Sequence, residues 1–171
     1  MDAAAASFCW PRAADAGLTF RPVAETDLPF LGQLYASTRS EELSVTGWSD
    51  AQKADFLASQ FRAQHAHYQR YYSGADWLVI VHAGEDIGRL YVERWPSQVR
   101  IIDIALLPAH RGKGYGTALL RDLMDEAAVA GKAVSIHVEK NNPAMRLYRR
   151  LGFATVEDKG VYDLMRWEAA A

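Results

Sequence analysis

Short segments of this chain alternate apolar and polar residues, and longer ones repeat apolar residues every three or four positions. Leu18-Thr19-Phe20-Arg21 alternates as a strand does, and Pro22 removes the donor needed to extend it. Asp27 and Pro29 mark a helix start, followed by Leu31, Leu34 and Tyr35 at helical spacing. Ser40 to Trp48 is polar and aperiodic and reads as a loop. Ser49 or Asp50 caps a second, longer helix with Phe56, Leu57, Phe61, Tyr68 and Tyr72 in helical period. Trp77–His82 and Ile87–Arg94 are strands of a hairpin closed by Ala83-Gly84-Glu85-Asp86. Pro96-Ser97 turns the chain into a third strand, Val99–Leu107, which completes an antiparallel meander. Thr117 to Ala130 is strongly amphipathic. Leu119, Leu120, Leu123, Met124 and Ala127 face inward, Arg121, Asp122, Asp125 and Glu126 face outward, and Gly131 stops the helix. Ala133–Val138 is an apolar strand after a helix, so it is expected to run parallel to Val99–Leu107. Asn142-Pro143 opens a fourth helix, with Leu147, Tyr148 and Leu151 inward and Gly152 at its end. Phe153–Val156 and Val161–Trp167 form a last hairpin around Lys159-Gly160. The order β α α β β β α β α β β describes a mixed α/β chain whose α/β half is C-terminal.

The chain has 171 residues, within the usual size of one domain. The expected division is a flexible Ala-rich tail over 1–16 and a single domain over 17–168. A formal charge of -2 leaves no basic field for nucleic acid. No apolar run approaches the ~20 residues of a membrane span. The N-terminus lacks the basic start and apolar core of a signal peptide, and Cys9 is the one cysteine, so a reducing cytoplasm is expected. His65 and His67 are two apart on a helix and point to different faces. His82, His110 and His137 have no Cys or Asp at ligand spacing, so no metal is expected.

The segment Arg111-Gly112-Lys113-Gly114-Tyr115-Gly116-Thr117 lies between a strand and a helix. Its backbone N–H groups have no intrahelical partners, the helix dipole adds positive potential, and Gly114 and Gly116 leave no Cβ in the way. Arg111 and Lys113 add cationic side chains. The physical reading is a pyrophosphate cradle. A Walker loop requires a different spacing, and the dinucleotide fingerprint G-x-G-x-x-G is not met by glycines that run G-x-G-x-G. Glu139, at the end of the next strand, stands where a ribose-binding acid would lie, but only one βαβ unit follows the cradle. A Gly-rich surface turn with incidental basic residues would also give this segment.

Leu106-Leu107-Pro108-Ala109-His110-Arg111-Gly112-Lys113-Gly114-Tyr115-Gly116 resembles the acyl-CoA pyrophosphate motif R/Q-x-x-G-x-G/A of the GCN5-related N-acetyltransferases, the GNAT superfamily. Asn141-Asn142-Pro143-Ala144-Met145-Arg146-Leu147-Tyr148-Arg149-Arg150-Leu151-Gly152-Phe153 resembles the same family's N-x-x-A-x-x-L-Y-x-x-x-G-F segment, in the family's order and spacing. Arg21-Pro22 followed by Asp27-Leu28 is similar to a common family opening, so the likeness runs from about Leu18 to Trp167. It implies a central mixed, mostly antiparallel sheet of six or seven strands with a splayed parallel pair, flanked by four helices. Acyl-CoA would lie in the gap.

The resemblance also implies roles. The amides from Gly112 to Thr117 would hold the pyrophosphate. The strand Asp103–Leu106 would pair with the pantetheine arm as an added strand. A bulge near Ile104, Ala105 and Leu106 would aim one N–H at the thioester carbonyl and stabilise the oxyanion. Asn141, or alternatively Asn142, would bond pantetheine or the strand end; Asn142 would equally serve as a plain helix cap. Tyr148 would protonate the leaving CoA thiolate, although an inward helical tyrosine also suits a core. Asp103 is the first candidate for a general base, because a carboxylate is unexpected in Ile101-Ile102-Asp103-Ile104-Ala105, where burial would strengthen it. A hydrogen-bonded structural carboxylate is the bland reading. Glu139, Glu93 or ordered water are alternatives. His110 would touch the ribose phosphate or face solvent.

The resemblance implies an acceptor pocket walled by the first two helices and their connection, a region that here includes Arg39, Glu41, Glu42, Trp48 and the aromatic helix Phe56–Tyr72. Gln60, Gln64, Tyr68 and Tyr71 would line it or pack as core, and the two glutamates would attract a cationic amine or stay solvated. The expected activity is acetyl transfer from acetyl-CoA, as co-substrate, to a primary amine of a small molecule or peptide, by a monomer or homodimer. A catalytically silent acetyl-CoA-binding module is the alternative.

Overall fold

The computed structural model describes residues 8–170. In chain order the elements are α1 (Pro11–Asp15), β1 (Leu18–Pro22), α2 (Leu28–Ser44), α3 (Asp50–Tyr71), β2 (Asp76–His82), β3 (Glu85–Arg94), β4 (Gln98–Leu106), α4 (Tyr115–Val129), β5 (Ala133–Glu139), α5 (Met145–Arg150), β6 (Ala154–Lys159) and β7 (Tyr162–Trp167). Short 3-10 turns precede α2 and follow β4. The strands form one sheet in the order β1-β2-β3-β4-β5-β7-β6. Every neighbouring pair is antiparallel except β4 and β5. This is the mixed, mostly antiparallel sheet with one parallel pair that the sequence implies.

The parallel pair is short. It runs from Gln98 opposite Ala133 to Ile101 opposite Ile136 and then ends. Beyond that point Asp103–Leu106 pair only with β3, and His137–Glu139 only with β7. The two central strands therefore part at one end, and a gap opens between them. A β-bulge marks the parting: Tyr91 lies opposite Asp103 but Val92 opposite Ile101, so Ile102 is the extra residue. The expected bulge near Ile104–Leu106 thus sits at Ile102 instead. At the other end of this pairing Gly88 lies opposite Leu106, where a Cβ would meet the Ala105 carbonyl oxygen at 2.3 Å, so β3 and β4 approach closely there.

One face of the sheet is covered by α4, whose Leu119, Leu120, Leu123 and Ala127 pack with Val99, Ile101, Val134, Ile136 and Met165. Burying one such leucine stabilises the fold by roughly 2 kcal/mol. The other face carries α2 and α3, held together by Leu31, Tyr35 and Phe61. Among the described residues no helix is long and apolar enough to cross a membrane.

Five expectations change. Residues 10–15 of the presumed tail are packed: Pro11–Asp15 is a helix, and Trp10 and Ala13 are buried. The helices therefore number five among the described residues, not four; positions 1–7 of that tail lie outside the described residues. Asp122, expected to face outward, is buried against this added helix. The presumed loop from Ser40 begins as the end of α2, which continues to Ser44. Its hydroxyls are satisfied within the helix, with Ser37 donating to Leu34 O, Thr38 to Tyr35 O and Ser44 to Glu41 O. Asp27 does not cap α2 through its side chain. Its carboxylate accepts from Arg21 and from the Ala24 amide, and the guanidinium holds it below the usual carboxylate range. The Ser49 cap on α3 is present, with Gln52 returning the bond.

Candidate active site

The loop after β4 delivers the chain to the start of α4 at the mouth of the gap. Gly114 takes φ +85°, a left-handed conformation that a side chain would strain, and it is the N-cap of α4. The first amide of α4 bonded back into the helix is that of Ala118, on Gly114 O. The amides of Gly112 to Thr117 find no acceptor outside helix bonding among the described residues. A Cβ placed on Gly112, Gly114 or Gly116 would meet nothing within 4 Å. The result is an open ring of donors at the positive end of a 15-residue helix.

The side chains around this ring are less uniform. Lys113 is exposed and forms no ion pair among the described residues. Arg111 turns away from the cradle: Nε donates to the Leu106 carbonyl at 2.9 Å and Nη2 to Ser37 Oγ at 3.3 Å. The Tyr115 hydroxyl lies 3.3 Å from His82 Nε2, so only its amide faces the cradle. His110 Nδ1 is buried with no partner among the described residues.

The exposed edge of β4 continues this donor set. The Leu107 amide donates to Ile87 O on β3. Strand alternation then turns the Ala105 and Asp103 amides toward β3, and those of Ile104 and Leu106 toward the gap. Both are unopposed there, because β5 has already diverged.

Tyr148 of α5 packs from the α4 side, edge-on to Phe153, and is 4% exposed. Its hydroxyl makes no hydrogen bond among the described residues. Burial first, and then the Asp103 charge, pushes this phenol well above its ordinary value, so it remains protonated near neutral pH.

Asp103 is not the isolated buried carboxylate that the sequence suggests. Its Oδ2 accepts from Arg89 Nη2 at 2.8 Å and from the Tyr68 hydroxyl at 3.0 Å. Arg89 is 3% exposed and also donates to Gln64 Oε1. A buried counter-charge accompanies the carboxylate, so its setting is not the apolar one that the sequence suggests. Arg89, Tyr68 and Gln64 are the residues that sequence reasoning missed in this role. One signal was present: Arg89 and Asp103 are opposite charges flanked by apolar residues in two adjacent strands, diagonal neighbours across the hairpin.

A cavity of about 480 Å³ opens on the α2–α3 face. Arg39, Glu42, Phe56, Gln60, Glu139, Asn141 and Tyr162 are among its lining residues. Arg39 joins Glu139 at 2.6 Å and Glu42 at 3.2 Å. Of the expected pocket residues, Trp48 stacks edge-on to Phe56, Glu41 is exposed and Tyr71 is 62% exposed. Asn141 is at the cavity, whereas Asn142 Oδ1 accepts the Ala144 amide and shapes the turn before α5. Glu93 lies outside the gap: it sits opposite Arg100 in the part of the sheet before the strands separate, and it accepts from Trp95 Nε1.

The sequence profile of the acetyltransferase (GNAT) family matches residues 40–153. Streptothricin acetyltransferase of Streptomyces lavendulae is 43% identical over 63 residues, 35% of this chain and 33% of that protein. Mycothiol acetyltransferase of Corynebacterium glutamicum is 31% identical over 105 residues, 60% of this chain and 36% of that protein. The matched stretch thus spans about a third of the length of each relative. The PaiA N-acetyltransferase of Thermoplasma acidophilum, solved in complex with coenzyme A, superposes with a TM-score of 0.65. That likeness covers 89% of this chain and 99% of the other at 14% identity, and it is a likeness of fold.

Proposed function

The chain belongs to the acetyltransferase (GNAT) family, and from that premise we propose that it transfers the acetyl group of acetyl-CoA directly to a primary amine. The observation that carries the reading is the continuity of unfilled donors. The Gly112–Thr117 amides at the start of α4 lead to the gap-facing amides of Ile104 and Leu106. One set suits a pyrophosphate and the other an extended pantetheine arm. A relative of the same fold was solved with coenzyme A, which supports this choice of co-substrate.

The protein's own groups divide the reaction between the two faces of the sheet. The thioester carbonyl lies at the parting of β4 and β5, where a strand amide stabilises its oxygen as negative charge develops. Tyr148, on the α4 side, gives its proton to the departing thiolate. The amine enters from the α2–α3 side through the cavity walled by Arg39, Glu42, Gln60 and Glu139. Asp103, whose carboxylate faces Tyr68 of α3 on that side of the sheet, takes the proton that the amine nitrogen sheds. Asn141 orients the arm or the acceptor at the cavity rim.

The test is release of CoA thiol from acetyl-CoA when primary amines are added, with the amide product identified by mass. Amine-dependent release supports the reading. Tight acetyl-CoA binding with no acetylated amine would replace it with a silent acetyl-CoA-binding module.

A further inference from the structure

On the acceptor side of the gap, Arg89 Nη2, the Tyr68 hydroxyl and Asp103 Oδ2 meet at one oxygen, at 2.8 and 3.0 Å. Asp103 Oδ1 accepts no hydrogen bond among the described residues. The clamp is itself braced. Arg89 Nη2 also bonds Gln64 Oε1 at 2.9 Å, and its guanidinium lies 5.1 Å over the Tyr91 ring. The Tyr68 ring is enclosed by Trp77, Tyr91 and Tyr72 at 6.1–6.3 Å between centroids.

Stability alone does not account for this arrangement. A buried ion pair is a weak source of stability, and well-packed apolar side chains of similar volume often serve as well or better. The Arg89–Asp103 pair also stands one residue after the Ile102 bulge, where β4 leaves β5. Two donors on one carboxylate oxygen fix the group's rotation and leave the other oxygen to an incoming donor.

Resting on the amine acetylation proposed above, we propose that Tyr68 and Arg89 are positioning residues that lock Asp103 Oδ2 so that Oδ1 receives an N–H of the acceptor amine. That bond aims the nitrogen lone pair at the thioester carbonyl. The N–C bond forms, and the C–S bond then breaks. The thiolate takes the Tyr148 proton, Oδ1 takes the surplus proton of the nitrogen and passes it to solvent, and solvent reprotonates Tyr148. Tyr68 remains a donor throughout, since burial, followed by the Asp103 charge, raises its phenol well above the ordinary range.

The experiment measures thiol release with n-butylamine, 1,4-diaminobutane, L-lysine and a tetrapeptide with a free N-terminus. The wild-type protein is compared with Tyr68→Phe, Asp103→Asn and the double variant, each checked for fold by circular dichroism. Tyr68→Phe keeps the ring and its packing, so it decides the point even where Arg89→Met fails to fold. The expected result is about a tenfold loss in kcat on the best amine, with KM for acetyl-CoA unchanged. The same change should cost nothing further in the Asp103→Asn background. An unchanged kcat in Tyr68→Phe, or an equal loss in both backgrounds, would overturn the proposal and leave the transferase reading standing. No thiol release by the wild-type protein with any of the four amines would overturn both.

Discussion

The Ala13 amide donates to Asp122 Oδ2 at 2.9 Å, joining α1 to α4 across 109 residues of sequence. The other carboxylate oxygen accepts the Arg12 amide at 3.2 Å, and Asp122 is 2% exposed. Asp122 therefore supplies the acceptor that the first turn of α1 lacks. Asp122→Ala should cost about 1–2 kcal/mol, the usual loss for a helix cap or a buried hydrogen-bonded carboxylate. Urea unfolding checks the magnitude, and limited proteolysis around residues 10–16 checks the location. Unchanged stability would mean that α1 is held by Trp10 and Ala13 and by the Arg12–Asp125 ion pair.

The same contact explains where the sequence was hard to read. PRAAD is one turn and a half, far below the length at which a helix forms unaided. It is helical because Trp10 and Ala13 are buried and Asp122 caps it, and none of these causes lies within those five residues. Without α1 to cover it, Asp122 reads as a residue of the outer face of α4. The C-terminal βαβ half was legible because its signals are local: the apolar stripe of α4, the glycines of the cradle, and the order of the two motifs. The Arg89–Asp103 pair was half legible. Asp103 stood out in an apolar strand, but its partner could be assigned only once the hairpin register, with its bulge at Ile102, was known.

Gly116 and Gly114 separate binding from folding. Gly116 has open space around its missing Cβ and an ordinary φ, whereas Gly114 has open space but a positive φ. Gly116→Val should therefore weaken acetyl-CoA binding about 30-fold or more, while the fold loses nothing from helix propensity, in which valine ranks above glycine. Gly114→Val should weaken binding similarly and lose a further ~1–2 kcal/mol of stability to backbone strain. Equilibrium binding and thermal melting of both variants check the pair. Normal acetyl-CoA affinity in Gly116→Val would remove the cradle from the site.

Tyr148 is expected to act on the chemistry and not on cofactor affinity. Tyr148→Phe keeps the contact with Phe153 and removes only the hydroxyl. kcat should fall about 100-fold, within the usual range for loss of a general acid, with acetyl-CoA affinity unchanged. Steady-state kinetics and equilibrium binding on one preparation distinguish this from a core role, which would lower stability and leave kcat intact.

Two histidines set a stability limit on the acid side. Burial, with the nearby charge of Arg89, lowers the His65 pKa below 6.5; burial, with Arg100 and Lys159, lowers that of His137. Below pH 6.5 the unfolded chain takes up protons that the folded chain refuses, so stability is full above that pH and falls as the pH drops toward the folded-state values. His137→Gln should flatten part of this slope. Unfolding midpoints between pH 5 and 8 check it, and an identical slope in the variant would exclude His137 as a source.

Calorimetric titration of the purified protein with acetyl-CoA, in the absence of any acceptor, tests the central claim most directly. The donors of the α4 start and the β4 edge predict one site per chain with micromolar affinity. A folded protein that gives no binding heat, and that acetyl-CoA does not stabilise against thermal unfolding, would contradict the account.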